Sequence, residues 1–182
     1  MTKNKGRKIA LIGHSGSGKS ACLIELSKTH TDIDSVIAEM DRSLGTNDSP
    51  SMAKAFQWIT ENKSPVVAVG VHFELFKAIA NFKNNGNTID NICFVYLRKI
   101  KSDLASHLKL PNEYGELRQD DNVNGTIAKY GELDGIFMRV QDHTIDIAVK
   151  DVSSVAQDIE RMLRDDLGSD QAKSLEKSET VL

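Results

Sequence analysis

The sequence has little cysteine, no long apolar segment and almost no excess of charge, and each shortage excludes a class of protein. Its two cysteines, Cys22 and Cys93, fall in a predicted helix and a predicted buried strand. They therefore indicate small core residues in a reducing compartment rather than a disulfide or a metal site. No apolar run reaches the roughly 18 residues that indicate a membrane helix, and residues 1–6 lack the apolar core of a secretory signal. We therefore expect a cytoplasmic protein.

The charge balance and the length of the chain limit its expected partners and its number of domains. The chain has 23 Lys and Arg residues against 26 Asp and Glu residues, so we expect no general attraction to nucleic acid or to a membrane surface. Its 182 residues suit one domain with a sizeable core. From residue 169 the composition turns to Ser, Lys, Glu and Asp. This change predicts a domain over residues 1–168 and a disordered tail over residues 169–182.

One motif is present without a mismatch. Residues 13–20 read Gly-His-Ser-Gly-Ser-Gly-Lys-Ser and match the phosphate-binding pattern G-x-x-x-x-G-K-[ST]. The apolar run over residues 9–12 is typical of a buried strand, and residues 21–28 have apolar positions at helical spacing. The glycines let the backbone curl so that several N–H groups point at one anion, and the helix start adds its positive dipole end. Strand, loop and helix together predict a site for a nucleoside triphosphate.

Within this loop the residue types predict roles. Lys19 is a mobile charge for the terminal phosphates, and the Ser20 hydroxyl is placed to bind Mg²⁺. We read no catalytic role into His14, because the motif allows any residue at that place. The residues predicted to contact the nucleotide are Gly13, His14, Ser15, Gly16, Ser17, Gly18, Lys19, Ser20 and Ala21.

Apolar strands and amphipathic helices alternate along the rest of the chain. Strands are predicted over residues 9–12, 33–39, 66–70, 92–97 and 144–149, and helices over 21–28, 51–62, 73–83, 100–108, 126–140 and 153–167. Such alternation implies right-handed crossovers and a parallel sheet with helices on both faces. The sequence therefore predicts a three-layer α/β fold with five parallel strands.

Two acidic residues, Glu39 and Asp41, end the second predicted strand. The carboxyl ends of parallel strands form one edge of the sheet, where ligands bind, and residues two apart point the same way. We expect both side chains near the phosphates, with Glu39 holding Mg²⁺ through water. Asp41 would accept a proton from an attacking hydroxyl. The alternative is a solvated, Asp-rich turn.

The polar stretch over residues 109–125 shows no periodicity and predicts a mobile lid. Arg118 is its one arginine. Phosphoryl transfer gains from a cation that closes over the transferring group, and a lid that carries such an arginine also excludes water. We assign this catalytic role to Arg118, with Lys109 and Arg98 as competitors.

Over about residues 7–166 the chain resembles small P-loop kinases of the shikimate, gluconate and nucleoside monophosphate kinase type. Besides the phosphate loop, Glu39-x-Asp41 is similar to the family's Asp-x-Asp, and residues 137–146 are similar to its Tyr-x-x-x-Ala-Asp-x-x-Ile-Asp. The resemblance implies the strand order 2-3-1-4-5, Asp41 as the base, and residues 151–153 near the adenine. An arginine of the family is replaced by Leu133, which makes shikimate itself a poor candidate for the acceptor.

These observations favour an ATP-dependent kinase that moves the γ-phosphate of Mg-ATP to a small-molecule or nucleotide acceptor. A GTPase-like switch is disfavoured, because no D-x-x-G follows a predicted strand and no N-K-x-D is present. The alternative is a regulatory or NTP-hydrolysing P-loop protein without a kinase acceptor, in which Glu39 and Asp41 do no phosphotransfer chemistry.

Overall fold

The computed structural model describes residues 8–29, 49–111, 115–147 and 150–179, which form four strands and seven helices. In chain order these are β1 (Lys8–Ile12), α1 (Lys19–Thr29), α2 (Ser49–Glu61), β2 (Val66–Ala68), α3 (Phe73–Asn84), β3 (Ile92–Arg98), α4 (Lys101–His107), α5 (Asp120–Ala128), α6 (Tyr130–Val140), β4 (His143–Asp146) and α7 (Val152–Glu179).

The four strands form one parallel sheet in the order β2-β1-β3-β4. Ile9 is paired with Val66 on one side and with Cys93 on the other, which places β1 in the interior of the sheet. The two central strands are apolar along nearly their whole length, because helices cover both faces. The predicted α/β class is confirmed, and these strands keep the predicted relative order. The additional strand predicted over residues 33–39 lies outside the described residues.

Side chains alternate along β1 and divide the core into two layers. Ala10 and Ile12 pack with α2, α3 and α6 on one face, whereas Ile9 and Leu11 pack with α1 and α7 on the other. All four are fully buried. Alternation with a period of two is what a strand covered on both faces requires. Burial of each large aliphatic side chain contributes about 1.5–3 kcal/mol. Both cysteines are buried free thiols in one of these layers, as predicted.

The region predicted as a lid followed by one helix has a different structure. Helix is predicted over residues 126–140, but the chain forms α5 from Asp120 and a separate α6, with a break at Lys129. The cause is a third apolar cluster, in which Val123 and Tyr130 pack against Leu104 and Leu108 of the α4 region. Two short helices thus replace the one predicted helix, and the predicted loop over residues 109–125 contains the start of α5.

The last helix also runs further than predicted. The composition predicts disorder from residue 169, yet the backbone of α7 is helical through Glu179. Seven of the 11 residues from 169 to 179 are alanine, leucine, glutamate, lysine or glutamine, all of which are good helix formers. Among the described residues, no helix has the length and apolar character needed to cross a membrane.

Candidate functional site

The phosphate loop joins β1 to α1 and has the backbone geometry that its glycines allow. Gly13 has φ 150° and Gly16 has φ 79°, a region that residues with a side chain rarely adopt. A Cβ atom on Gly13 would also lie 2.8 Å from the carbonyl oxygen of Leu97. The loop is closed by a hydrogen bond of 3.0 Å from the Ser17 N–H to the His14 carbonyl. A tight loop that ends at a helix N-terminus is a ready site for an anion.

Lys19 places its charge on this loop. Its ammonium group donates hydrogen bonds of 2.8 Å and 2.9 Å to the carbonyl oxygens of Gly13 and His14. The charge is therefore held against the backbone of the loop rather than in solvent. Its role toward the terminal phosphates stays a prediction.

A cleft of about 1180 Å³ opens beside the loop. It lies at the carboxyl edge of the sheet, because Gly70 follows β2, Lys99 follows β3 and Ile147 follows β4. Ligands of open α/β sheets bind at this edge. Of the predicted nucleotide contacts, Ser15, Gly16, Ser17, Gly18, Lys19, Ser20 and Ala21 line the cleft. Gly13 and His14 lie behind it as part of the loop.

His14 turns its side chain away from the cleft into an aromatic pocket. The imidazole is 0% exposed, stacks on Tyr130 at 4.4 Å between ring centroids with a 12° interplanar angle, and meets the edge of Phe137 at 5.3 Å. Neither ring nitrogen has a hydrogen-bond partner in the described structure. Burial lowers the pKa of His14 to about 4; Asp134 raises it and Lys19 lowers it by smaller amounts. His14 is therefore neutral at physiological pH.

Arg118 shares the cleft with the phosphate loop. One of its guanidinium nitrogens donates to the carbonyl oxygen of Leu110 at 3.3 Å. The two competing cations are placed differently. Arg98 is paired with Asp134 through contacts of 3.2 Å and 3.3 Å, and the exposed Lys109 is not among the residues that line the cleft. Of the three candidates, only Arg118 is among the described residues that line the cleft, and its catalytic role stays a prediction.

The Asp134 carboxylate is the centre of a polar network behind the cleft. It accepts a hydrogen bond of 2.7 Å from the Tyr96 hydroxyl as well as the contacts from Arg98. Burial and this hydrogen bond raise the pKa of Tyr96, and the bond to Asp134 raises the pKa of Arg98. Arg98 is thereby held in this network and does not line the cleft.

Sequence reasoning missed three lysines that line the cleft, namely Lys99, Lys129 and Lys150. Of these, Lys99 could have been found, because it directly follows the last residue of a buried strand. The cleft is lined by the cations Lys19, Lys99, Arg118, Lys129 and Lys150, and by the acids Glu116 and Asp121. This excess of positive charge is suited to a polyanionic ligand.

The predicted adenine loop is also at the cleft. Val152 lines it together with Ile147 and Val155. The Asp151 carboxylate caps α7 by accepting a hydrogen bond of 2.7 Å from the Ser154 N–H, and this bond lowers the pKa of Asp151. The cap fixes the start of α7 and with it the apolar side chains that face the cleft.

For Mg²⁺, the described part of the chain offers the Ser20 hydroxyl at the cleft. Glu39 and Asp41 lie outside the described residues, so their roles stay predictions. Within the described ranges no group of three or more His, Cys, Asp or Glu side chains is arranged to hold a metal. A single hydroxyl beside a phosphate loop still fits Mg²⁺, which usually keeps several waters and binds through substrate phosphates and one or two protein ligands.

Comparison with known proteins finds similar solved structures. No protein-family model and no curated protein sequence matches the chain. The fold is similar to that of shikimate kinase from Acinetobacter baumannii, with a TM-score of 0.60 at 13% identity over 88% of this chain and 94% of that one. Shikimate kinase from Bacteroides thetaiotaomicron has a TM-score of 0.58 at 14% identity, over 88% of this chain and 99% of that one.

A gluconokinase from Sinorhizobium meliloti 1021 is similar as well, with a TM-score of 0.54 at 17% identity over 90% of this chain and 97% of that one. The chain thus has the fold of small P-loop kinases over most of its length, as the resemblance in sequence predicts. At these identities the likeness is one of fold.

Proposed function

We propose that the protein is an ATP-dependent kinase that transfers the γ-phosphate of Mg-ATP to a small-molecule or nucleotide acceptor. The observation that carries the proposal is the shared cleft. A mismatch-free phosphate loop with Lys19 in position and the lid arginine Arg118 line the same cavity at the carboxyl edge of the sheet. A site for phosphates alone would need only the loop, whereas transfer also needs a cation over the moving group.

In this proposal the loop N–H groups and Lys19 hold the triphosphate, and Lys19 exchanges its two backbone carbonyl contacts for phosphate oxygens. Ser20, with Glu39 acting through water, holds Mg²⁺, which when bound neutralises charge on the phosphates. The apolar side chains around Val152 lie beside the adenine. His14 contacts the triphosphate through its backbone, since its side chain is packed in the aromatic pocket.

Transfer then depends mainly on position and charge. Arg118 spreads the charge of the transferring phosphoryl group, and the lid over residues 109–125 excludes water. Asp41 takes the proton of the acceptor hydroxyl as the new bond forms. Leu133 is buried and lines the cleft where the resembling family has an arginine. The family's cationic contact for an acceptor carboxylate is therefore absent at that place, and we propose an acceptor other than shikimate.

The first experiment tests nucleotide binding and the acceptor class. Thermal shift with a nucleotide panel and Mg²⁺ should show stabilisation by ATP above GTP. ATP consumption against pooled metabolites and nucleotides should then identify the acceptor.

Lys19→Ala should lose triphosphate affinity or turnover and keep the fold, because it removes a cation from a loop. Lys101→Ala, an exposed lysine on α4, is the matched control. Equal ATP binding and turnover in Lys19→Ala would contradict the phosphate-loop assignment.

The second experiment separates a kinase from a hydrolase or regulator. Asp41→Asn should lower transfer by roughly 10²–10⁴-fold while ATP still binds, because Asn keeps the shape and loses the basicity. Glu39→Gln should instead weaken the Mg²⁺ dependence. Full turnover by Asp41→Asn with the identified acceptor would show that this base assignment is wrong. ATP hydrolysis that no pooled acceptor changes would favour the hydrolysing alternative.

A further inference from the structure

Lys99 stands beside the phosphate loop because of strand pairing. It follows β3, and β3 is paired in parallel with β1, whose last residue leads into the loop. Ile12 is opposite Tyr96, so the two chains leave the sheet side by side, about one strand spacing of 4.8 Å apart. Both Lys99 and the loop line the cleft. The sheet therefore places a second cation next to the phosphate site.

The Tyr130 side chain contacts both the backbone of Lys99 and the phosphate loop. The Tyr130 hydroxyl donates a hydrogen bond of 2.9 Å to the Lys99 carbonyl oxygen, and the Tyr130 ring stacks on His14 of the loop. Tyr130 is itself buried. Loop and lysine are thus held in a fixed relation, which is the preorganisation that an anion site requires.

The charge of Lys99 is not neutralised within the described structure. Its ammonium group makes no ion pair with another described residue. Partial burial is the main cause that lowers its pKa, and the positive charge of Arg118 lowers it further, against the opposing effect of Asp103. Two cations that repel each other at the wall of one cleft are both stabilised by an anion that enters between them.

We propose that Lys99 and Arg118 together form a second phosphate site in the cleft, adjacent to the site of the phosphate loop. This second site presupposes the kinase reaction proposed above and adds Lys99 to the cations that serve that reaction. Its occupant is a phosphoryl group, either the γ-phosphate of the triphosphate or a phosphate carried by the acceptor. The Lys99 ammonium and the Arg118 guanidinium bind its oxygens from the sheet side and from the lid side.

The first arm of the test compares ADP with the non-hydrolysable triphosphate AMPPNP. Full-length Lys99→Met is titrated with each nucleotide and Mg²⁺ in a calorimeter. If the γ-phosphate is the occupant, AMPPNP binds about tenfold to a hundredfold more weakly and ADP binds as in the wild type, since only one charged hydrogen bond is lost. Lys99→Arg should restore most of the AMPPNP affinity. Lys101→Met removes an exposed lysine nearby and should change neither affinity.

The second arm uses inorganic phosphate as the probe for an acceptor phosphate. It is titrated into AMPPNP-saturated protein and followed by ³¹P NMR line width. If the acceptor supplies the phosphate, the wild type and Lys101→Met broaden the line and Lys99→Met does not, while the ratio of AMPPNP to ADP affinity is unchanged. The unaltered ADP affinity of Lys99→Met shows that this variant is folded.

The outcomes separate the two proposals. If Lys99→Met matches the wild type in both arms, the second phosphate site is overturned and the kinase proposal stands. If the wild-type protein binds neither nucleotide with Mg²⁺, the proposed function is contradicted and the second site with it.

Discussion

At the scale of single residues, His14 shows how a motif position that accepts any side chain can be used for packing. The imidazole is enclosed by Tyr130 and Phe137, and its two nitrogens have no partner among the described residues. Each buried polar group without a partner costs about 1–3 kcal/mol. A phenyl ring is larger than imidazole, but it is also planar, and it has no ring nitrogen that needs a partner. Because burial lowers the pKa of this histidine, we expect the stability of the folded protein to depend on pH.

We predict that His14→Phe removes this pH dependence. The pKa of His14 is about 4 in the folded protein against 6.5 unfolded, so the unfolded state takes up the proton first as the pH falls. Wild-type stability should fall between about pH 6.5 and pH 4 relative to the variant, by roughly 3 kcal/mol at the lower end. Asp134 and Lys19, the charged groups that act on the ring, are present in both proteins.

Urea denaturation of both proteins from pH 4 to pH 8 measures the difference in unfolding free energy. Above pH 7 the difference in unfolding free energy between the two proteins should not change with pH. His143→Gln, at an exposed histidine, is the control and should follow the wild-type profile. A wild-type minus His14→Phe difference that is constant with pH would contradict the prediction.

At the scale of secondary-structure elements, the segment between α4 and α6 has one part that packs in an apolar cluster and one part that is exposed. Val123 of α5 belongs to the third apolar cluster, and Tyr130 joins it from the start of α6. By contrast, Leu117 is 72% exposed, and Arg118 is linked to Leu110 by one long hydrogen bond. Few apolar contacts and exposed backbone are the features of a segment that opens locally. The lid predicted over residues 109–125 is therefore anchored at its C-terminal end.

We predict that amide hydrogen exchange over residues 109–125 is fast in the free protein and slower with saturating Mg-AMPPNP. The reason is that Arg118 gains a phosphate partner and holds the segment over the cleft. The slowing should be greatest for peptides that cover residues 115–119 and small for those from residue 123 onward. A peptide from α3 serves as the internal reference, because this helix does not line the cleft. Unchanged exchange on saturation would remove the lid hypothesis.

At the scale of the whole molecule, the described core contacts of the last helix lie in its first half. The described side chains that α7 buries in the core are Val155, Ala156 and Ile159, with Met162 and Leu163 packed against them. All of them precede residue 164. The sheet, the phosphate loop and the cleft are also formed by residues before this point. The domain limit near residue 168 stays a prediction.

We predict that a chain truncated after Gly168 folds and binds Mg-ATP like the full-length protein, because no described core contact is removed. Thermal unfolding and calorimetric titration measure the two properties. Ile159→Ala in the full-length chain is the positive control, since its side chain is 0% exposed. It should lower stability by about 2–5 kcal/mol. A loss of stability on truncation comparable to that of Ile159→Ala would show that the tail belongs to the domain.

The sequence by itself determined the parts of this protein whose conformation is set locally. The phosphate loop needs positive φ at Gly16, and only glycine supplies that conformation without strain. The apolar runs of β1 and β3 indicate strands buried on both faces, as in the centre of a parallel sheet covered by helices. The break at Lys129 was not predictable, since periodicity shows which side of a helix is apolar and not which neighbour covers it.

Only the tertiary structure decided which distant residues meet at the site. His14 and Tyr130 are far apart in the chain, and their stacking depends on how α6 packs against the sheet. The same packing places the Tyr130 hydroxyl on the Lys99 carbonyl, and the path of residues 115–119 brings Arg118 to the cleft. The physical reason is that a cation's role depends on its distance from other charges, and that distance is set by packing rather than by local sequence.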